Sequence, residues 1–197
     1  MRKEVSDMND TVTTSPSHSK TLDMVYIALS AVVIAICSWI SVPAAVPFTL
    51  QTFAIFLIVS VLGGKRGTCG VLLYILLGLV GIPVFSGFKA GPGVLLGTTG
   101  GYIIGFILTA LIMWGFERAF GKKIVVLAIS MVLGLLACYA FGTAWFLYVY
   151  VKNTGAVSLT TVLGWCVIPF LLPDAIKILL ALGIGTKLIR VFETFHT

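Results

Sequence analysis

The sequence predicts an all-α membrane protein of six transmembrane helices, both termini cytoplasmic, and three observations carry that prediction. Of 197 residues, 59% are hydrophobic and only 10% charged, with a mean hydropathy of +1.11. A soluble domain of this size cannot hide so much apolar surface. The apolar residues are gathered in runs that are apolar on every side, which selects helices over a barrel, whose strands would alternate. The basic residues fall between those runs and favour one side of the bilayer.

Residues 1–20, rich in Ser, Thr, Asp and Asn, read as a flexible polar tail, and 21–197 as a single transmembrane domain. With a polar, mixed-charge start and a long first apolar run, no cleavable signal is expected. The six segments are expected near 22–42, 49–63, 67–83, 101–119, 124–150 and 160–186. The second and third are short for a bilayer of ~30 Å at ~1.5 Å per residue, so they are steeply placed or shielded by their neighbours. A turn at Gly63-Gly64-Lys65-Arg66-Gly67 joins them. The stretch 85–101, FSGFKAGPGVLLGTTGG, is too rich in glycine for a stable helix and too apolar for an ordinary solvated loop.

With a cytoplasmic N-terminus, ten of the thirteen basic residues lie inside: Arg2, Lys3, Lys20, Lys65, Arg66, Arg118, Lys122, Lys123, Lys187 and Arg190. Lys89 and Lys152 lie outside, and Lys177 falls within a span. The net charge of +6 is therefore topological rather than a sign of nucleic acid. Cys37, Cys69, Cys138 and Cys166 are scattered singly in apolar segments, and His18 and His196 lie near the termini, so no metal site is expected. The nearest stretch to a P-loop, Gly115 to Lys123, has the wrong spacing and no Ser or Thr after the lysine. No HExxH, GxSxG or paired-carboxylate arrangement lies in a span, so the chain is expected not to be an enzyme.

The chemistry concentrates in LLPDAIK, 171–177. Asp174 and Lys177 sit at i and i+3 on one helical face, deep in the sixth segment. Each charge there costs on the order of 3 kcal/mol to insert. Pro169 and Pro173 each remove an amide donor, and disturbed backbone at that depth needs protein or a cavity beside it. Two readings stand: an ion pair tethering the helix, or a ligand site, favoured because nothing structural requires an ion pair there. Lys89, the only charge of the glycine-rich loop, either snorkels to water or meets a ligand's carboxylate. Ala31 and Ala35, like Gly101 and Gly105, have the spacing that lets helices approach closely, within the chain or across to a partner. The residues alone thus describe a small membrane protein that binds a polar-plus-apolar ligand from outside and has no engine of its own.

Four stretches carry a resemblance: VPFTLQTFAIFL (46–57), LGGKRGTCGVLLYILLGLVGIPVFSG (62–87), LLGTTGGYIIGF (95–106) and PFLLPDAIK (169–177). In order and spacing over about residues 25–190 they resemble the BioY family, biotin-specific S-components of energy-coupling factor (ECF) transporters. The resemblance implies the six-helix S-component fold in the cell membrane of a bacterium and a biotin pocket near the outer face. It implies no cofactor: ATP is used only by partner subunits, a transmembrane T-component and two cytosolic ATPases. The whole S-component is expected to tip within the bilayer. Ala31 and Ala35 match the family's T-component contact, and the family's membrane-embedded acid and base fall on Asp174 and Lys177. Gln51, Tyr102, Phe85 and Trp165 are further candidates for lining the pocket, with Lys89. Some members carry Asn where this chain has Lys89, and some carry Arg directly after GGY, where this chain has Ile103. A cationic contact moved from position 103 to Lys89 would reconcile the two. The alternatives are a secondary transporter or facilitator working alone, and an S-component for another vitamin.

Overall fold

The computed structural model describes residues 17–194, so residues 1–16 of the expected tail, with Arg2 and Lys3, lie outside the described residues. Helix α1, Ser17–Trp39, begins inside the stretch read as tail and stops before the expected position 42. Pro43 disfavours helical backbone at the residue before it, and Ser41–Val42 instead form strand β1, antiparallel to β2, Phe48–Thr49. This hairpin, not anticipated in an all-α chain, leads into α2, Gln51–Leu62. The remaining helices are α3, Gly64–Val80; α4, Pro92–Leu96; α5, Gly100–Phe120; α6, Ile124–Thr154; α7, Leu159–Cys166; and α8, Ile168–Thr194.

Among the described residues, four stretches are long and apolar enough to cross a membrane: Lys20–Trp39, Gly100–Phe120, Ile124–Thr154 and Leu159–Ile189. At ~1.5 Å per residue, α2 is only about 18 Å long. It is shielded: α1, α3, α5 and α8 pack around it, and Ala54, Ile55, Phe56 and Val59 are buried. Large apolar side chains on the outward faces of α1, α6 and α8, among them Leu29, Val32, Leu136 and Leu179, remain exposed, as a lipid-facing surface requires.

Two expectations are corrected. The turn between α2 and α3 is Gly63 alone, at φ 88°, and Lys65 and Arg66 already belong to the first turn of α3. The span predicted as 160–186 is two helices, broken at Val167 (φ −125°, ψ −56°). Pro169 falls in the first turn of α8, where its missing amide hydrogen costs nothing, while Pro173 lies inside the helix. Ala31 and Ala35 are 1% and 5% exposed, buried within the chain itself. Beside Ala31, Ser30 lies over Gly70 of α3, where an added Cβ would come within 2.4 Å of the Ser30 Cβ. The small residues on that side of α1 therefore serve an internal contact, one of the two uses their spacing allowed. Gly101 and Gly105 likewise pack inward, against Trp145 and Cys138 of α6.

Two polar clusters tie the basic end of the bundle. Arg66 pairs with Asp23 at 2.6 Å. Glu117, from α5, accepts the Gly64 N–H and lies 3.5 Å from Lys122. A carboxylate at the start of α3 meets the helix dipole favourably.

Candidate ligand-binding site

A cavity of about 400 Å³ opens among the hairpin, the segment 85–99 and helices α2, α5, α6, α7 and α8. That volume suits a small organic ligand. The expected loop 85–101 is more ordered than its glycine content suggested. A 3₁₀ turn spans Ser86–Phe88, α4 follows with Pro92 at its start, and Gly100 and Gly101 already belong to α5. Gly87 and Phe88, at φ 70° and 57°, reverse the chain so that the Phe85 N–H donates to the Lys89 carbonyl at 3.0 Å. This reversal places exposed Lys89 on the rim of the cavity and buried Phe85 on its wall. Phe85 closes over Gly78, where an added Cβ would lie 2.1 Å from the ring, and meets Tyr74 edge-on at 5.6 Å.

Asp174 and Lys177 lie on the buried wall, 2% and 5% exposed. The ammonium donates to Asp174 Oδ1 at 2.7 Å, to the Thr49 carbonyl at 2.7 Å and to the Thr52 hydroxyl at 3.2 Å. All of its roughly three donors are thus committed within the chain. It also stands 4.7 Å from the centre of the Phe48 ring, which stacks on Phe170 at 5.1 Å. Thr52 donates in turn to Asp174 Oδ1 at 3.1 Å, and the Tyr139 hydroxyl donates to Asp174 Oδ2. The carbonyl of Thr49 is available because β2 ends there and α2 has not yet begun.

Six of the seven pocket residues expected from sequence line this one cavity: Asp174, Lys177, Lys89, Gln51, Tyr102 and Phe85. Gln51 works from beneath: its amide donates to the Tyr74 hydroxyl at 2.6 Å and accepts from the Thr49 hydroxyl at 2.9 Å, steadying the strand whose carbonyl holds Lys177. Tyr102 shares a hydrogen bond with Thr143 at 2.9 Å. Ile103 lines the same cavity as Lys89, so both positions at which the family departures fall border one space. Trp165 does not line it. It is 40% exposed and meets Tyr150 edge-on at 5.8 Å. On α7 it is Val162 and Cys166, four apart, that are buried, and Trp165 projects from another face.

Sequence reasoning missed Thr52, Tyr139, Phe170, Cys138 and Cys166 as lining residues. Thr52 stood inside a quoted motif beside Gln51. Tyr139 was detectable only as a polar-tipped aromatic within an apolar span, which packing accounts for equally well. Among charged lining residues, two lysines face one aspartate, so the site carries a net positive charge of one.

Residues 8–194 match the BioY family. The chain is 40% identical over 156 residues to the biotin transporter BioY of Thermotoga maritima, covering 79% of this chain and 88% of that one. It is 37% identical over 182 residues to the biotin transporter BioY2 of Lactococcus lactis, covering 91% and 96%. The crystal structure of the S-component for biotin from an ECF-type ABC transporter superposes with a TM-score of 0.78 at 25% identity, covering 91% of this chain and 95% of that one. These relatives are transporters rather than enzymes. Motif order, helical architecture and relatedness along nearly the whole length agree, and the chain belongs to the BioY family.

Proposed function

We propose that this protein is a biotin-binding S-component, with six membrane-traversing helical segments and both termini in the cytoplasm of a bacterial cell. It captures biotin at the outer face and delivers it inward with a T-component and two cytosolic ATPases. The observation that carries this reading is the buried Asp174–Lys177 pair on the wall of a 400 Å³ cavity whose exposed rim bears Lys89.

Biotin has a ureido ring with two N–H donors and a carbonyl, a thioether ring, and a valerate carboxylate. The ureido ring suits the buried wall, where Asp174 accepts an N–H. The ureido carbonyl reaches Lys177 by taking the place of the Thr52 hydroxyl, its longest contact at 3.2 Å. A carboxylate brought there would face Asp174, already paired to Lys177, and like charges in a dry site repel. The valerate therefore belongs at the rim with Lys89, and the positive balance of the cavity is cancelled by one anionic ligand. Phe85, Phe106, Tyr102 and Phe170 supply the apolar walls between.

Titration of biotin into the purified protein in detergent tests this directly. Binding tighter than about 1 μM is expected, weakened by Lys89→Gln. A wild-type protein that ignores biotin defeats the substrate assignment. Uptake in cells that collapses without the T-component and ATPases supports the S-component role, and uptake that persists makes the chain a transporter in its own right.

A further inference from the structure

The hydrogen bonds around Asp174 can be counted. An ionised carboxylate offers roughly four acceptor positions, about two on each oxygen. Oδ1 receives two donors, the Thr52 hydroxyl at 3.1 Å and the Lys177 ammonium at 2.7 Å. Among the described residues, Oδ2 receives only the Tyr139 hydroxyl. Oδ1 is filled, and a single acceptor position remains, on the oxygen that Tyr139 holds. Tyr139 and Asp174 both line the cavity, from α6 and α8 respectively. Tyr139 is buried, with 8% of its surface exposed.

We infer that Tyr139 is a specificity-determining residue: its hydrogen bond to Oδ2 orients the Asp174 carboxylate so that one ligand N–H, and no more, can be received there. This rests on the biotin-binding reading, which supplies a ring with such an N–H. Tyr139 does so without being the ligand's main partner. Its hydroxyl fills one of the two places on Oδ2 and thereby sets the direction of the other. A ligand bearing a methyl or a bare acceptor at that point meets an oxygen with nothing to offer it, and the loss is large because the acceptor stays buried and unpaired. The remaining donors around the acid lie on the Oδ1 side: Thr52 from α2 and Lys177 from α8 itself. They hold the acid in place but leave the open position on Oδ2 unaffected.

The test compares biotin with its two mono-N-methylated analogues on the full-length protein. Wild type is expected to reject one analogue far more strongly than the other. Tyr139→Phe keeps the ring and its packing but frees Oδ2. Biotin is expected to weaken about tenfold, and the rejection ratio for the disfavoured analogue to fall by about fivefold or more. Thr52→Val, acting on Oδ1, is expected to weaken biotin while leaving that ratio intact. A ratio unchanged in Tyr139→Phe reduces Tyr139 to a packing residue and overturns the inference, while biotin binding by the wild type stands. A ratio that falls equally in Thr52→Val assigns discrimination to the acid as a whole and overturns it too. Failure of the wild type to bind biotin at all removes the functional reading, and this inference with it.

Discussion

Lys89 and Lys177 border one cavity, yet they are held in opposite ways. Lys177 is buried with an anion, a carbonyl and a hydroxyl on its ammonium, whereas Lys89 is exposed and has no ion-pair partner among the described residues. Breaking the buried pair from one side leaves the other charge stranded, which costs about 3–5 kcal/mol. Asp174→Asn is therefore expected to lower the melting temperature of the purified protein and to weaken biotin by about 2–3 kcal/mol. The double variant Asp174→Asn with Lys177→Gln removes both charges. It is expected to recover part of the lost stability and none of the binding; a thermal melt beside a titration separates the two. Unchanged binding in Asp174→Asn would make the pair a structural tether alone. The pair was legible because two charges three residues apart are too costly in an apolar run to stand there without a partner or a ligand. Tyr139 and Thr52 were not legible, since a tyrosine or threonine in a span is unremarkable until its partner is known.

Helix packing decides how the wall of the cavity is shaped. Phe85 can lie flat against α3 only because Gly78 has no side chain, and an added methyl there would come within 2.1 Å of the ring. Gly78→Ala is expected to lose about 1–3 kcal/mol of stability through overpacking, seen as a lower melting temperature, and to weaken ligand binding by displacing Phe85. Gly115→Ala on α5, where nothing lies within 4 Å, serves as the control. It should be neutral or slightly stabilising, as alanine is the better helix former. Equal effects of both substitutions would mean that the Phe85 contact is not what Gly78 permits. The break at Val167 belongs here as well. Two prolines four apart announced a disturbed helix, but where the chain breaks depended on Pro169 settling into the first turn of α8. Trp165 then faces away from the cavity while Cys166 lines it, a distinction that depends on helical phase and not on composition.

The bundle as a whole presents lipid-facing apolar surface and one end that gathers Lys65, Arg66, Arg118, Lys122 and Lys123. Cysteine labelling in a background lacking the four native cysteines tests the proposed orientation. Lys152→Cys should react with a membrane-impermeant maleimide in intact cells, and Lys123→Cys only after permeabilisation; the reverse pattern would invert the topology. Hydropathy and charge bias were enough to establish a helical membrane protein, because the cost of exposing backbone polar groups to lipid leaves few other structures for so apolar a chain. The motif order was enough for the family, and an acid and a base in one apolar helix were enough to point to the cavity whose wall they line. Which small residues face inward was not settled by spacing: it favoured the interior for Ala31 and Ala35, the family resemblance pointed to a partner, and the packing of α1 within the bundle buries them. The same holds for the cavity. Its wall joins Thr49 and Thr52 with Tyr139 and with Asp174 and Lys177, three stretches far apart in the chain, and the hydrogen bonds that tie these stretches exist only once the helices have been brought together. Local pattern specifies which segments are helices and which residues are costly to bury, whereas the partners beyond the Asp174–Lys177 pair that offset that cost come from distant segments and are set by the fold.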